Sequence, residues 1–392
     1  MKQRRHYSSH RLSRDAERVS WLARGLSDSG SRTEDAWWEN ELALQIGKML
    51  DNNQEEALNQ ALDRLQETHA RAYDELADLI EAGVEGNMQN GPDGPRQTLL
   101  LALPILAWSR YSIPARSLPA SLLTALRVQL KAHVLADDCR LALADFLYSP
   151  DQMPRGFVET RRFALQMENA ALSDEDLSIP VTGLPETGHY ISDLRYVLAS
   201  VSVPIGHPML RWQEVDGSRE TALGQWQAQA GPGIQAILPG CNIQLLLPDA
   251  FFSAWRRADQ EARGYALAAT VSYLQAVLDL PASALRVVAA PYYEHRLVEW
   301  RISFGRQSDD TVLHGIVWPL LGIEDEGTDV TGEIDAILRQ AGVGQILILD
   351  QQRLTPEYCD DCGAPLFPNA EGESVHTEMP ELENDMPPVH LH

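Results

Sequence analysis

Cysteine is scarce in this chain. Its 392 residues hold four, Cys139, Cys241, Cys359 and Cys362, too few and too scattered for a disulfide framework. They are expected as thiols or metal ligands in a reducing compartment. Lysine is scarcer still, with three among 32 basic residues, a skew that reads as arginine-rich coding and not as a demand for bidentate phosphate contacts. Acids number 56, and the formal net charge of −24 excludes a broad electrostatic surface for nucleic-acid phosphates. No apolar run approaches the roughly 20 residues of a membrane-spanning helix. The basic start, Met1-Lys2-Gln3-Arg4-Arg5-His6, is followed by no apolar segment or small-residue cleavage site. A secretory signal is therefore not expected, and a cytoplasmic location is.

Familiar catalytic signatures are also missing. There is no Walker lysine motif, no G-x-S-x-G elbow and no H-E-x-x-H. Gly342-Val343-Gly344 falls between a helical and a strand pattern, the reverse of the order a phosphate-binding glycine loop needs.

What is present is enough apolar sequence, 44% of residues, for two domains and a sizeable core. Residues 1–32 read as a basic N-terminal arm running into a short helix, with Leu12, Ala16, Val19, Leu22, Ala23 and Leu26 at helical spacing. Residues 33–172 read as an all-helical module. Thr33 caps a first helix with Trp37, Leu42, Leu44, Ile46 and Leu50 inward. Further stripes use Leu58, Ala61 and Leu65, then Tyr73, Leu76 and Ile80. Residues 99–108 are apolar throughout and are expected as a short buried helix, as is 137–147; residues 120–135 and 157–172 carry amphipathic stripes.

Residues 173–192, with Pro180, Gly183, Pro185 and Gly188 among acids, read as a linker. Residues 193–353 then change period and are expected as an α/β domain with a mixed sheet. Strands are expected at 195–203, 209–214, 242–247, 287–290, 297–304, 312–318 and 346–349. Helices fit 220–238 (interrupted at Gly231-Pro232-Gly233), 249–259, 261–279 and 329–341. The order strand, strand, helix, short strand occurs over 194–247 and again over 297–350, which suggests a duplicated ββαβ unit sharing one sheet. The fold class expected is thus α+β, completed by a C-terminal CxxC knuckle and acidic tail over 354–392.

That knuckle, Cys359-Asp360-Asp361-Cys362-Gly363, is the one local spacing that suggests specific chemistry. A C-x-x-C turn followed by Gly can wrap two thiolates around a tetrahedral ion, with Gly tolerating the positive φ such turns use. It resembles half of a zinc ribbon whose second C-x-x-C is absent. Closing ligands would come from His376, His390, His392, Cys139, Cys241 or another subunit. His376 fits best, since thirteen residues separate it from Cys362 and Gly372 lets the chain return. Zinc is the expected ion. Two free thiols in a turn, or a redox dithiol, are the other readings; the dithiol is the weaker because Gly363, Pro365 and Pro368 start no helix to lower a thiol pKa.

Two further groupings invite a functional reading. His295, Glu299 and Arg301 are expected on one strand face, with His314 on the paired strand, and an acid–base cluster between the helical module and the sheet would make an enzyme. Solvated strand residues are the commoner meaning of such a pattern. Residues 1–24 carry seven Lys/Arg against two acids, enough for weak nucleic-acid binding through the arm, whereas nothing after Arg353 is basic and nine acids follow it. The reading favoured is a non-enzymatic regulatory or scaffolding protein whose helical module binds a protein partner and whose knuckle holds zinc.

Four short stretches point to a family. Leu12-Ser13-Arg14-Asp15-Ala16-Glu17-Arg18, Ala107-Trp108-Ser109-Arg110, Ser149-Pro150-Asp151-Gln152-Met153-Pro154 and Tyr358-Cys359-Asp360-Asp361-Cys362-Gly363-Ala364-Pro365-Leu366 together resemble the proteobacterial domain-of-unknown-function 2863 family. The resemblance spans most of the chain and implies a bacterial cytosolic protein of similar length. It carries over no activity, substrate or catalytic residue.

Overall fold

The computed structural model describes residues 12–379 apart from Pro92, His189 and Ile323. Four helices come first: α1 (Arg14–Ser27), α2 (Arg32–Asp51), α3 (Glu55–Thr68) and α4 (Ala70–Glu85). Ser13 and Ser31 cap α1 and α2 by accepting the Ala16 and Glu34 amides. The α1 stripe Ala16, Val19, Leu22, Ala23 and Leu26 is buried among Leu42, Ile46, Leu58, Leu65 and Leu76. Residues 14–27 therefore belong to a bundle and not to an arm, because that stripe needs neighbours to bury it; residues 1–11 lie outside the described part. Trp37 and Leu44, expected inside, are 52% and 53% exposed. The buried face of α2 carries Leu42, Ile46, Met49 and Leu50 instead.

The all-helical expectation for residues 33–172 ends at Glu85. Next come β1 (Gly86–Gly91), β2 (Gly94–Trp108), β3 (Arg116–Ser117), α5 (Ala120–His133), β4 (Arg140–Leu143), β5 (Phe146–Leu147) and α6 (Gly156–Leu172). Residues 99–108 are thus strand, as is much of 137–147. The cause is burial on both faces. Leu101, Leu103, Ile105 and Ala107 pack to one side, and Leu100, Ala102 and Leu106 to the other. Such a strand shows no alternation, and its period cannot be told from that of a buried helix. Pro104 is tolerated because its carbonyl accepts from Leu246. Its nitrogen shares that side of the strand, in the gap between the partners of 101–102 and 105–108, where no ladder donor is needed.

The expected linker leads into β6 (Ser192–Pro204), which pairs with β2 from Arg96 to Trp108. The first sheet thus draws strands from both sides of residues 173–192. Residues 209–214, expected as a strand, contain a 3-10 turn, Arg211–Gln213. Helix α7 (Arg219–Ile237) continues past Pro232, which lies inside it. An interior proline costs a helix about 3 kcal/mol, here offset by burial of Trp226, Ala230 and Ile234 on the sheet. Two strands, β7 (Asn242–Leu245) and β8 (Asp249–Ala250), complete an antiparallel sheet of order β1-β2-β6-β4 with β7 and β8 on β2. Helices α5 and α7 cover one face; α6 and the start of α8 (Phe251–Leu278) cover the other.

Helix α8 replaces the two helices expected over 249–279. Its first half places Phe251, Ala254 and Ala258 on the first sheet, and its second half places Leu267, Val271 and Leu274 on another. That second sheet holds β9 (Leu285–Tyr293), β10 (Leu297–Arg306), β11 (Val312–Pro319) and, after α9 (Val330–Gln340), β12 (Gln345–Ile348). Its order is β11-β10-β9-β12, with β12 parallel to β9 and the rest antiparallel. The chain is accordingly α+β with a mixed sheet, but the two suggested ββαβ units lie in different sheets, and the first lacks its second strand. A hairpin of β13 (Phe367–Pro368) and β14 (Ser374–Val375) closes the described chain. Among the described residues no helix is long and apolar enough to cross a membrane.

The bundle meets α8 at Glu85, whose carboxylate accepts the Phe252 amide at 3.0 Å. Burial is the main cause pushing this carboxyl up to about 7, against that hydrogen bond and beside Glu81, Arg256 and Asp249. With the folded pKa above the ordinary 4.5, the folded state holds an extra proton between those values. Stability through this group is then full below pH 4.5 and falls as pH rises toward 7. Glu85→Gln keeps an acceptor for Phe252 and removes the buried charge. It is expected to raise the urea midpoint at pH 8 and leave it nearly unchanged at pH 4; a lower midpoint at pH 8 contradicts this.

Candidate metal centre

The outer face of the second sheet positions the cysteines. On β10, Trp300, Ile302 and Phe304 turn inward to α8 and α9, which leaves Glu299, Arg301 and Ser303 on the other face. Residues 354–379 cover that face. The Tyr293 amide donates to Leu354 at 2.7 Å, and the Glu378 amide donates to Val312 at 2.7 Å, so the segment is tied at β9 and at β11. Between those ties Ser303 donates to Pro368, and Phe367 lies over Gly315, where a Cβ would meet its ring at 2.4 Å.

Arg301 is the anchor. Its side chain is fully buried, and Nε donates to Glu299 at 2.8 Å. Nη1 donates to the carbonyls of Glu357 at 2.7 Å and Leu366 at 2.6 Å, the two residues that flank the knuckle. The guanidinium lies 4.5 Å from the Tyr292 ring centroid and 5.1 Å from that of Tyr358. Above this base the turn closes on itself. The Leu366 amide donates to Glu357, Cys359 to Ala364 and Gly363 to Cys359, at 2.7 to 3.0 Å. Gly363 takes φ +72° and Gly372 φ +85°, the conformations for which glycine was expected at both turns.

The hairpin returns His376 to the cysteines. Cys359, Cys362 and His376 each offer a ligand atom, and these atoms all lie within 4.8 Å of one another. Cys362 Sγ is 3.3 Å from His376 Nε2. His376 Nδ1 is 2.8 Å from the Thr377 carbonyl, which can only accept, so Nδ1 is the donor there and Nε2 is the ring nitrogen that faces Cys362. Zinc bonds of about 2.3 Å to sulfur and 2.0 Å to nitrogen put tetrahedral S and N ligands about 3.6 Å apart. The donor set therefore fits zinc with small adjustments. Two cysteine sulfurs and an oriented imidazole match the ligand types zinc takes.

Other expected residues fall elsewhere. Cys139 and Cys241 pack in the first sheet's core, where burial pushes both thiols up. His390 and His392 lie outside the described residues. His295 is exposed in the turn between β9 and β10, and Glu299 is taken up by Arg301. His314 pairs with Phe304, five positions along β10 from Glu299, or about 17 Å at strand spacing. It lines a small cavity of about 330 Å³ with Tyr190, Ser192 and Thr270, and burial lowers its imidazole to about 4, which keeps it neutral. The suggested acid–base cluster is not assembled. Arg301, by contrast, proves central to the knuckle; its position in the inward-outward alternation was legible, its reach to residues 56 and 65 places later was not.

The stretches that carry the family resemblance hold structural joints: Ser13 caps α1, Asp15 accepts from Gln54 at 3.0 Å, Ser109 donates to Gly240, Gln152 donates to Pro185. A family model described as "Protein of unknown function (DUF2863)" matches residues 4–390. The chain belongs to this family. No curated protein and no solved structure matches it.

Removing the anchor should release the knuckle. Arg301→Met leaves Glu299 without its partner, and breaking such a pair costs about 3–5 kcal/mol. Chemical denaturation should show that loss, and a change below about 1 kcal/mol would contradict the anchoring role. Gly315→Ala forces Phe367 away, at about 1–3 kcal/mol for an overpacked contact. Limited proteolysis is expected to cut first between residues 354 and 379 in this variant; an unchanged cleavage pattern would tell against the packing described.

Proposed function

We propose that this is a non-enzymatic regulatory or scaffolding protein of the bacterial cytosol, whose C-terminal knuckle is closed by a structural zinc ion and whose helical bundle takes a protein partner. One observation carries the metal half of this reading: Cys359, Cys362 and His376 converge within 4.8 Å on a base already organised by Arg301. A zinc ion there would be held by Cys359 Sγ, Cys362 Sγ and His376 Nε2, and its chemistry would be to crosslink the turn to the returning hairpin. Ion binding would then add directly to the stability of the segment that covers the second sheet.

The partner half is supported by the bundle surface. Trp21 and Trp37 are half exposed, and both meet Trp38 edge-on, at 5.1 and 4.7 Å between ring centroids. Rigid, partly wet indoles are favoured anchors of protein interfaces. The rival readings draw less support. An enzyme near His295, Glu299 and His314 would need those groups together, and the register of β10 and β11 separates them. Arg18 lies over the Trp21 ring and reaches Glu41 at 4.0 Å, so it is partly engaged within the bundle.

Elemental analysis of the purified full chain tests the metal half. About one equivalent of zinc is expected for the wild type, with loss in Cys359→Ser and in His376→Ala. Zinc at background in the wild type, or full retention in both variants, would end the reading. For the partner, a pull-down from the protein's own host should recover a component that is lost with Trp37→Ala at unchanged thermal stability; repeated trials with nothing above background would count against it.

A further inference from the structure

The donor set has three members, and their placement bears on what else the ion would bind. Zinc sites that serve structure alone are closed by four protein ligands, whereas three leave a coordination position for another donor. Among the described residues, the remaining cysteines and the cavity-lining His314 are committed to places away from the knuckle: Cys139 and Cys241 in the first sheet's core, His314 on the inner side of the second sheet. The knuckle itself faces outward. Cys362 and His376 are exposed, as are Asp360, Asp361 and Gly363. No atom beyond its own neighbours lies within 4 Å of where a Cβ on Gly363 would stand.

Charge then selects the donor. Two thiolates neutralise a divalent zinc ion, so the loaded site attracts no anion by net charge. Asp360 and Asp361 sit in the turn, and no basic residue follows Arg353 anywhere in the sequence. A small anion approaching the ion meets those carboxylates with no nearby cation from the segment to offset them. A neutral donor meets no such barrier, and imidazole is among the commonest zinc ligands.

We propose that the fourth position of the zinc in this knuckle is open to an incoming neutral imidazole, and that it disfavours small anions. The site would thereby serve as a docking point for a histidine presented by the protein partner. This rests on the zinc reading above. No bond of the protein changes in the step: the imidazole lone pair replaces a water on the ion, and the water leaves intact.

Cobalt substitution tests it on the full chain. Cobalt bound one to one should give the absorption of a tetrahedral site with two thiolates, and cobalt that does not bind, or binds equally to Cys359→Ser, would overturn the zinc reading itself. With cobalt bound, imidazole should shift the visible bands saturably, while azide at the same concentration should leave them in place. Bands unmoved by imidazole would overturn the open position with the zinc reading intact. Bands moved by azide as readily as by imidazole would overturn the selectivity. The double variant His390→Ala/His392→Ala decides whether the chain's own end fills the site: an altered starting spectrum contradicts the proposal, and an unaltered one supports it. Elution of the cobalt-loaded chain as a monomer at every concentration tried would leave the position to another protein, whereas a shift to dimer on metal loading, abolished by excess imidazole, would overturn that assignment in favour of a second copy.

Discussion

A single buried guanidinium holds the C-terminal region together. Arg301 rises from the outer face of the second sheet, neutralised by Glu299 and flanked by two tyrosine rings. Its donors satisfy the carbonyls on both sides of the cysteine turn. A charge placed there without those partners would cost several kcal/mol, so the sheet and the turn specify one another. Arg195 plays a similar part on the first sheet. It is fully buried, paired with Asp193, and bound to the carbonyls of Ile113 and Pro114. In each sheet a strand arginine donates to carbonyls of a neighbouring irregular segment.

The two sheets are in turn related by one rod. Helix α8 is 28 residues long, or about 42 Å at helical rise. Its beginning is buried on the first sheet and its end on the second, while Phe252 and Arg256 reach back to the bundle at Glu85 and Glu81. The bundle, both sheets and the knuckle therefore share a continuous load path. Metal binding at the knuckle would act on the second sheet first, through residues 354–379, and on the rest through α8 and through Ile191, which packs in the second sheet's core just before β6.

Sequence periodicity located elements with one apolar and one polar face well, although the polar face of β10, expected to be wet, is covered by residues 354–379. The stripes of α1, α3, α4, α5 and α9 and the alternation of β10 all sit where spacing puts them. It failed where burial is two-sided, as in β2, since a run with apolar residues at every position carries no period. It also failed where long-range packing overrides a local breaker: Pro232 is carried inside α7 by Trp226, Ala230 and Ile234. The likeness between 194–247 and 297–350 was a likeness of order alone, and strand pairing separates them. At the knuckle, Cys359 and Cys362 were legible from spacing, and His376 from a glycine that lets the chain turn. The ring orientation that aims Nε2 at Cys362 is supported by a carbonyl one residue away and could be read only from the fold.

A zinc ion at this site would be held by two sulfurs and one imidazole nitrogen above Arg301. X-ray absorption at the zinc edge of the purified chain measures this directly. Two sulfur scatterers at about 2.3 Å with nitrogen or oxygen in the remaining positions are the predicted shell; a shell of oxygen and nitrogen alone, or no zinc at all, would contradict it.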